Sequence, residues 1–308
     1  MDPNTVDPQA VFDIGTELVK AAPALLDRLG PMLGTLYKPI DTILSAKAES
    51  RAQIIRAEGN AQVAAIEQRA RFRLQYEAIR EQQNLEQAVK DSLPLLGENA
   101  QPDKLDEDWL MRWTNEVKMV SDPAVRTIWS KILAGEANQP GSYSLKTFEC
   151  LRSLSKADAE IFRHVANVSF RQGGFFWLPF EHPDWLHKHR SIHFTHLAYL
   201  GEIGLLRATT SSMTLFAHGE LEFVIVAGGG AVLVARQTLP SNVGPVRFNI
   251  WQFTQVGSQL LRLIERTRDE ENVENFAGVF KAHQKQALLG TSSNEETGYP
   301  YAIDRQIA

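Results

Sequence analysis

Between Pro39 and Pro94 the chain holds no proline and one glycine, Gly59, and is rich in Ala, Glu, Gln, Arg and Leu, all good helix formers. Apolar pairs recur there every eleven residues: Ile43 and Leu44, Ile54 and Ile55, Ala65 and Ile66, then Tyr76 beside Glu77, so that seven of the eight positions are apolar. A heptad register begun at Leu44 meets Lys47, Arg51, Glu58 and Gln68 instead and fits worse. Eleven residues over three turns is about 3.67 per turn, so the stripe runs nearly straight, or with slight right-handed supercoil. The spacing predicts one long helix over 39–94, capped by Asp41 or Thr42 and stopped by Pro94. Roughly 50 residues at 1.5 Å each make a rod of about 75 Å. Propensity alone leaves such a rod marginal. The expectation is therefore that Ile43, Leu44, Ile54, Ile55, Ala65, Ile66 and Tyr76 are covered by another helix, from a second copy or an antiparallel hairpin. A solvated tether between two domains is the alternative.

The flanking patterns divide the rest. Residues 1–38 form an amphipathic N-terminal helical segment, in which Val11, Phe12, Ile14, Leu18, Val19, Leu25, Leu26 and Leu29 are broken by Asp13, Glu17, Lys20, Asp27 and Arg28. It is expected to pack against the protein or a partner subunit, with interfacial membrane contact as the alternative. Residues 103–170 read as a helical domain. Trp109 and Trp113 stand at i, i+4 after an acidic first turn, which suits the helix dipole. Ser121-Asp122-Pro123 places a cap before an early proline, and Val125, Ile128, Trp129, Ile132 and Leu133 share one face. Ser155 starts a further helix.

From about Arg171 β-branched and aromatic runs appear between glycine turns. The order helix, short strands, closing helix predicts a winged-helix-like α+β module over 171–268. Residues 269–308 read as one more helix and a disordered tail. The fold class expected is thus mainly α with a smaller α+β part.

A length of 308 residues accommodates about two domains. The net charge of −5 argues against wholesale coating of nucleic acid, which needs a basic domain. With one cysteine, Cys150, no internal disulfide or thiolate metal cage can form, and a reducing cytoplasm fits. The N-terminus lacks the basic region of a secretory signal. No run of ~18 uncharged apolar residues predicts a membrane span.

Two clusters carry candidate chemistry. Arg69, Arg73 and Arg80 fall on one helical face near Phe72 and Tyr76 and, with Lys188 and Arg190, form a candidate phosphate or nucleic-acid contact; a charge-balanced exposed face is the plainer reading. His187, His189, His193 and His196 lie in one sixteen-residue stretch, and with Glu181 or Asp184 they are a candidate metal site or simply surface histidines. The triple glycine at 228–230 lacks the Lys-Ser/Thr and following helix of a phosphate loop, so it reads as a hairpin tip. Ser258 lacks a nucleophile elbow, and Cys150 sits on an apolar face. No catalytic constellation stands out, and no cofactor is expected beyond that candidate metal.

Asn84, Asp108-Trp109, Ser121-Asp122, Trp129, Leu133-Ala134-Gly135-Glu136, Pro140-Gly141-Ser142 and Ser144 resemble an uncharacterised bacterial domain-of-unknown-function family. The likeness spans about residues 45–268 and is sharpest in the central block. LGEIGLL and FTQVGSQLL are more distantly similar to the abortive-infection alpha family, and RAEGNAQVAAIEQRA is similar to the Ala/Glu/Gln-rich helices of stomatin and flotillin-like proteins. The resemblance implies a bacterial accessory protein, with phage defence suggested by the abortive-infection likeness, and carries over no catalytic residues. The leading expectation is a homo-oligomeric interaction protein that senses or recruits a protein partner. A nucleic-acid binder comes second, and a metal-dependent hydrolase centred on the histidines third. Gly135 or Gly141 is expected to permit a backbone turn and Trp129 to fill a core.

Overall fold

A computed structural model describes residues 22–34, 61–216, 220–237 and 244–308. The chain divides after Phe148 into two units. The first is helical: α1 (Ala22–Gly34), α2 (Ala61–Ser92), α3 (Glu107–Val117) and α4 (Pro123–Asn138). The helices start at the caps the sequence supplies. Asp106 accepts the Trp109 N–H at 2.8 Å ahead of α3, and Asp122 accepts those of Ala124 and Val125 ahead of α4. Each carboxylate satisfies N–H groups that the first turn leaves without a helical partner. α2 ends where Pro94 enters a short 3-10 turn, Leu93–Leu95.

α2 packs chiefly on α4. Leu85, Ala88 and Val89 from α2 are buried, as are Leu110 and Trp113 from α3 and Trp129, Ile132 and Leu133 from α4. The indole N–H groups are satisfied too: Trp109 donates to the Tyr143 carbonyl at 2.7 Å and Trp113 to that of Trp129 at 3.0 Å. In α1, Ala22, Leu25, Leu26 and Leu29 are buried; the helix lies against the Pro102–Lys104 turn, and Arg28 donates to the Leu105 carbonyl. This described part of the N-terminal segment therefore packs on its own chain.

α5 (Leu145–Ser153) carries the chain across the division. The second unit contains α6 (Lys156–Asn167), β1 (Phe170–Gln172), β2 (Phe175–Pro179), α7 (Pro183–Arg190), α8 (Phe194–Glu202), β3 (Ser211–Leu215), β4 (Glu222–Val226), β5 (Ala231–Arg236), β6 (Val246–Gln252), α9 (Gln255–Leu261), α10 (Glu270–Ala282), β7 (Gln286–Ser292) and β8 (Tyr301–Gln306). The eight strands form one sheet in the order β3-β6-β2-β1-β4-β5-β7-β8, with every pairing antiparallel. Alternate side chains enter two cores, as a pleated strand requires. On one face Phe170, Trp177, Phe248 and Leu233 meet Val273, Phe276 and Phe280 of α10. On the other, Phe176, Leu178 and Trp251 meet Phe162, Leu186, Leu197, Leu200 and Leu260 from α6 to α9.

This sheet corrects the expected fold class. The chain is not mainly α with a small α+β part, and the second unit is not a winged-helix-like module. Its sheet runs from Phe170 to Gln306 and carries helices on both faces. Residues 269–308 are likewise not a helix and a disordered tail. After α10 they supply two strands, and β5, central in the sheet, pairs with β7.

Candidate functional site

The LAGE and PGSYS block is a structural joint. The buried Glu136 carboxylate accepts the N–H of Gly141 at 2.6 Å and that of Tyr143 at 2.8 Å, holding the loop after α4 closed. Gly141 has φ +86° and makes the turn. Gly135 does something else: a Cβ there would lie 2.7 Å from the Tyr143 ring, so its role is to make room. Trp129 does fill the core, with its ring 5.2 Å from that of Phe148. Asn84 donates to the Lys118 carbonyl at 2.9 Å and to Ser121 Oγ at 3.2 Å, pinning α2 to the loop before α4.

The histidine stretch is brought together only in part. Ser191, in the left-handed region at φ 52°, ends α7, and the reversal sets His187 beside His193 with ring centroids 4.3 Å apart. His196 follows at 5.0 Å from His193, and its Nδ1 accepts the His193 N–H at 3.4 Å. Burial, then the neighbouring His193 and His164, lower the pKa of His196, since each disfavours the charged imidazolium. His189 turns away from the other three. It stacks on Trp185 at 5.2 Å and its Nδ1 lies 3.2 Å from a Glu271 oxygen. Among the described residues, no group of three or more His, Cys, Asp or Glu side chains is placed to hold a metal ion.

The arginines divide in the same way. Arg190 lies over Trp185 at 4.6 Å and grips Asp269 through two 2.7 Å bonds and Glu271 through one of 2.9 Å. Its planar fork is thereby committed to the N-terminus of α10. Lys188 is exposed. In the first unit Arg69 and Arg73 are exposed and Arg80 is half-buried; at 100° per residue the three share one stripe of α2. Arg73 reaches Glu77 at 3.8 Å along the helix.

Of the predicted association residues, Ile43, Leu44, Ile54 and Ile55 lie outside the described residues, and Ala65 lies on the described length of α2. Ile66 and Tyr76 are 56% and 66% exposed. Phe72 at 61% and Ile79 at 47% join them, although the eleven-residue register passes over both. Their own signal is the i, i+4, i+7 spacing of Phe72, Tyr76 and Ile79, one apolar stripe on a helix. At 100° per residue that stripe lies about half a turn round from Asn84, Leu85, Ala88 and Val89, the face buried on α4. Among the described residues no helix is long and apolar enough to cross a membrane.

Neither the curated proteins nor the solved structures contain a match to the chain. The abortive-infection and stomatin-like resemblances find no support in the comparisons. Residues 68–277, from the middle of α2 into α10, match the family described as protein of unknown function (DUF2806), and the chain belongs to that family.

Proposed function

We propose that the chain is a self-assembling interaction protein in which two copies pair through the exposed length of α2. The observation that carries this reading is the bare stripe of Phe72, Tyr76 and Ile79 on a helix whose other face is already committed to its own core. Water-exposed aromatic residues at helical spacing gain most from a second helix laid along them. The flanks of the stripe point to a second copy in parallel orientation. At 100° per residue Arg69, Arg73 and Arg80 border one side, and Gln68, Gln75 and Glu86 border the other. Parallel pairing sets unlike flanks against each other, as e and g positions do in coiled coils, whereas antiparallel pairing would oppose arginine to arginine.

Light scattering on the purified chain at micromolar concentration tests the proposal. The wild type is expected to be a dimer or a larger assembly, and Phe72→Ser/Tyr76→Ser to be a monomer of unchanged helix content. A monomeric wild type, or an assembly indifferent to both substitutions, overturns it.

A second reading rests on the arginines themselves. Arg69, Arg73 and Arg80 run beside Phe72 and Tyr76, and cations interleaved with aromatic rings are the surface that single-stranded nucleic acid uses. Binding of a labelled oligonucleotide that weakens as salt rises and is lost in Arg69→Gln/Arg73→Gln would favour it. Salt-independent binding, or none, removes it.

A further inference from the structure

The triple glycine closes the β4–β5 hairpin, and its tip rests on charge. Gly229 and Gly230 have φ of +62° and +74°. A Cβ on Gly228 would lie 2.6 Å from the Thr267 carbonyl oxygen, and one on Gly229 2.3 Å from the Arg268 nitrogen. The glycines therefore let the tip sit directly on the 266–268 segment. The Gly230 N–H donates to one oxygen of Glu295 at 2.9 Å, while Arg266 Nη2 donates to the other at 3.3 Å. One carboxylate is thus held by a main-chain N–H and a guanidinium together.

Arg266 is 8% exposed and Arg171 is 9% exposed. Both guanidinium carbons lie 5.3 Å from the centre of the Phe176 ring. Arg266 also donates to the Ser169 carbonyl at 3.2 Å. Arg171 donates to Glu296 at 3.4 Å, but its buried Nε has no partner. Burial lowers the pKa of Arg266; Glu295 opposes that fall and Arg171 adds to it.

The counter-charges come from the water side. The Glu295 and Glu296 side chains are 45% and 66% exposed, on a turn in which Asn294 accepts the N–H groups of Glu296 and Thr297. The turn passes back over the sheet at Gly298, where a Cβ would meet Val224 at 2.7 Å. Two buried cations are therefore neutralised by long bonds to exposed carboxylates, with one buried donor left over. An ion pair serving stability alone gains little from such geometry, because the desolvation of each cation is poorly offset.

We propose that Arg171, Arg266 and the Gly230 N–H form a binding site for a doubly charged phosphate group, and that Glu295 and Glu296 close it as internal occupants. A guanidinium pair and an N–H in a left-handed turn are donors suited to a tetrahedral oxyanion. A phosphate monoester carries about −1.5 to −2 charges near neutral pH, which matches the two carboxylates it displaces. Its additional oxygen reaches the donor those carboxylates leave unfilled. The site lies wholly in the second unit and stands or falls apart from the pairing of α2.

Calorimetric titration of the full chain with inorganic phosphate and pyrophosphate, and with succinate at equal ionic strength, tests it. Removing the internal competitor in Glu295→Gln/Glu296→Gln enlarges the open fraction and is expected to tighten phosphate binding by about tenfold. Adding Arg171→Gln is expected to abolish that gain. Unchanged phosphate affinity in the double variant, or an equal gain for succinate, overturns the proposal. Should the double variant fail to fold, Glu296→Gln decides, because it keeps the bonds from Glu295 to Gly230 and Arg266. A gain of about threefold is then expected, and no gain overturns the site.

Discussion

The two halves of α2 share one backbone and one composition, yet they meet different surroundings. From Asn84 to Ser92 the helix presents small and branched side chains to α4, and Leu85, Ala88, Val89 and Ser92 have at most 1% exposure. From Ile66 to Ile79 it carries larger apolar groups, and Ile66, Phe72, Leu74, Tyr76 and Ile79 are all at least 36% exposed. Helix propensity is similar in both halves, so it does not decide burial. Packing does: the first unit closes on the second half, and the first half keeps its apolar stripe for something else. On that view the second half contributes to the stability of the single chain and the first half to association.

Leu85→Ala breaks the comparison most severely. Leu85 is 1% exposed, and truncating a buried leucine removes its transfer free energy and leaves a cavity, together about 2–5 kcal/mol. Urea denaturation is expected to show that loss at every protein concentration, since it arises within one chain. A loss below about 0.5 kcal/mol, the range of ordinary surface substitutions, would mean that the 84–92 face is not a core.

The next effect lies in the helix on which Leu85 packs. Burial raises the pKa of Glu136, and the N–H bonds from Gly141, Tyr143 and Ser142 lower it again without cancelling the rise. The folded chain then keeps this proton to higher pH than the unfolded chain does. Between the two titrations the folded state binds more protons, so stability falls as pH climbs through the window just above the ordinary carboxylate value and is level below it. Glu136→Gln removes that slope. It also leaves one of the two N–H groups facing an amide nitrogen, at a cost of about 1–3 kcal/mol. Urea midpoints taken across that window check both statements, and an unchanged slope in the variant would show that another group titrates there.

The contrast also explains what could be read in advance. Caps are local chemistry, and Asp122-Pro123 and Ser155 started their helices where the sequence places them. The runs in β4, β5 and β6 are apolar enough to declare themselves as strands. β7 and β8 are different. QALLGTS is short and fits a helix as readily as a strand, and YAIDRQ is mostly exposed, so neither shows a pattern until the two pair and β7 finds β5. The Arg171, Arg266 and Glu295 set was hidden for a similar reason: its members lie 95 and 29 positions apart along the chain (266 − 171 and 295 − 266), and only the sheet brings them together. The histidines show the converse. Closeness in sequence predicted one cluster, but a single left-handed residue, Ser191, and the pull of Glu271 on His189 divided it.

Ile79→Ser sharpens the comparison with the smallest expected effect on the chain itself. Ile79 lies six residues before Leu85 on the same helix, but at 100° per residue it faces away from the buried side, and 47% of it is exposed. Substitutions at such exposed positions usually change stability by no more than about 0.5 kcal/mol, and serine's slightly weaker helix preference stays within that range. At high dilution its urea midpoint should therefore overlay that of the wild type. At micromolar concentration the two should separate, because only the wild type retains the whole stripe and the added stability that association confers. A loss of more than about 1 kcal/mol that persists on dilution would exceed the surface range. It would place Ile79 against its own chain, and the bare half of α2 would then be a second packing face of the monomer.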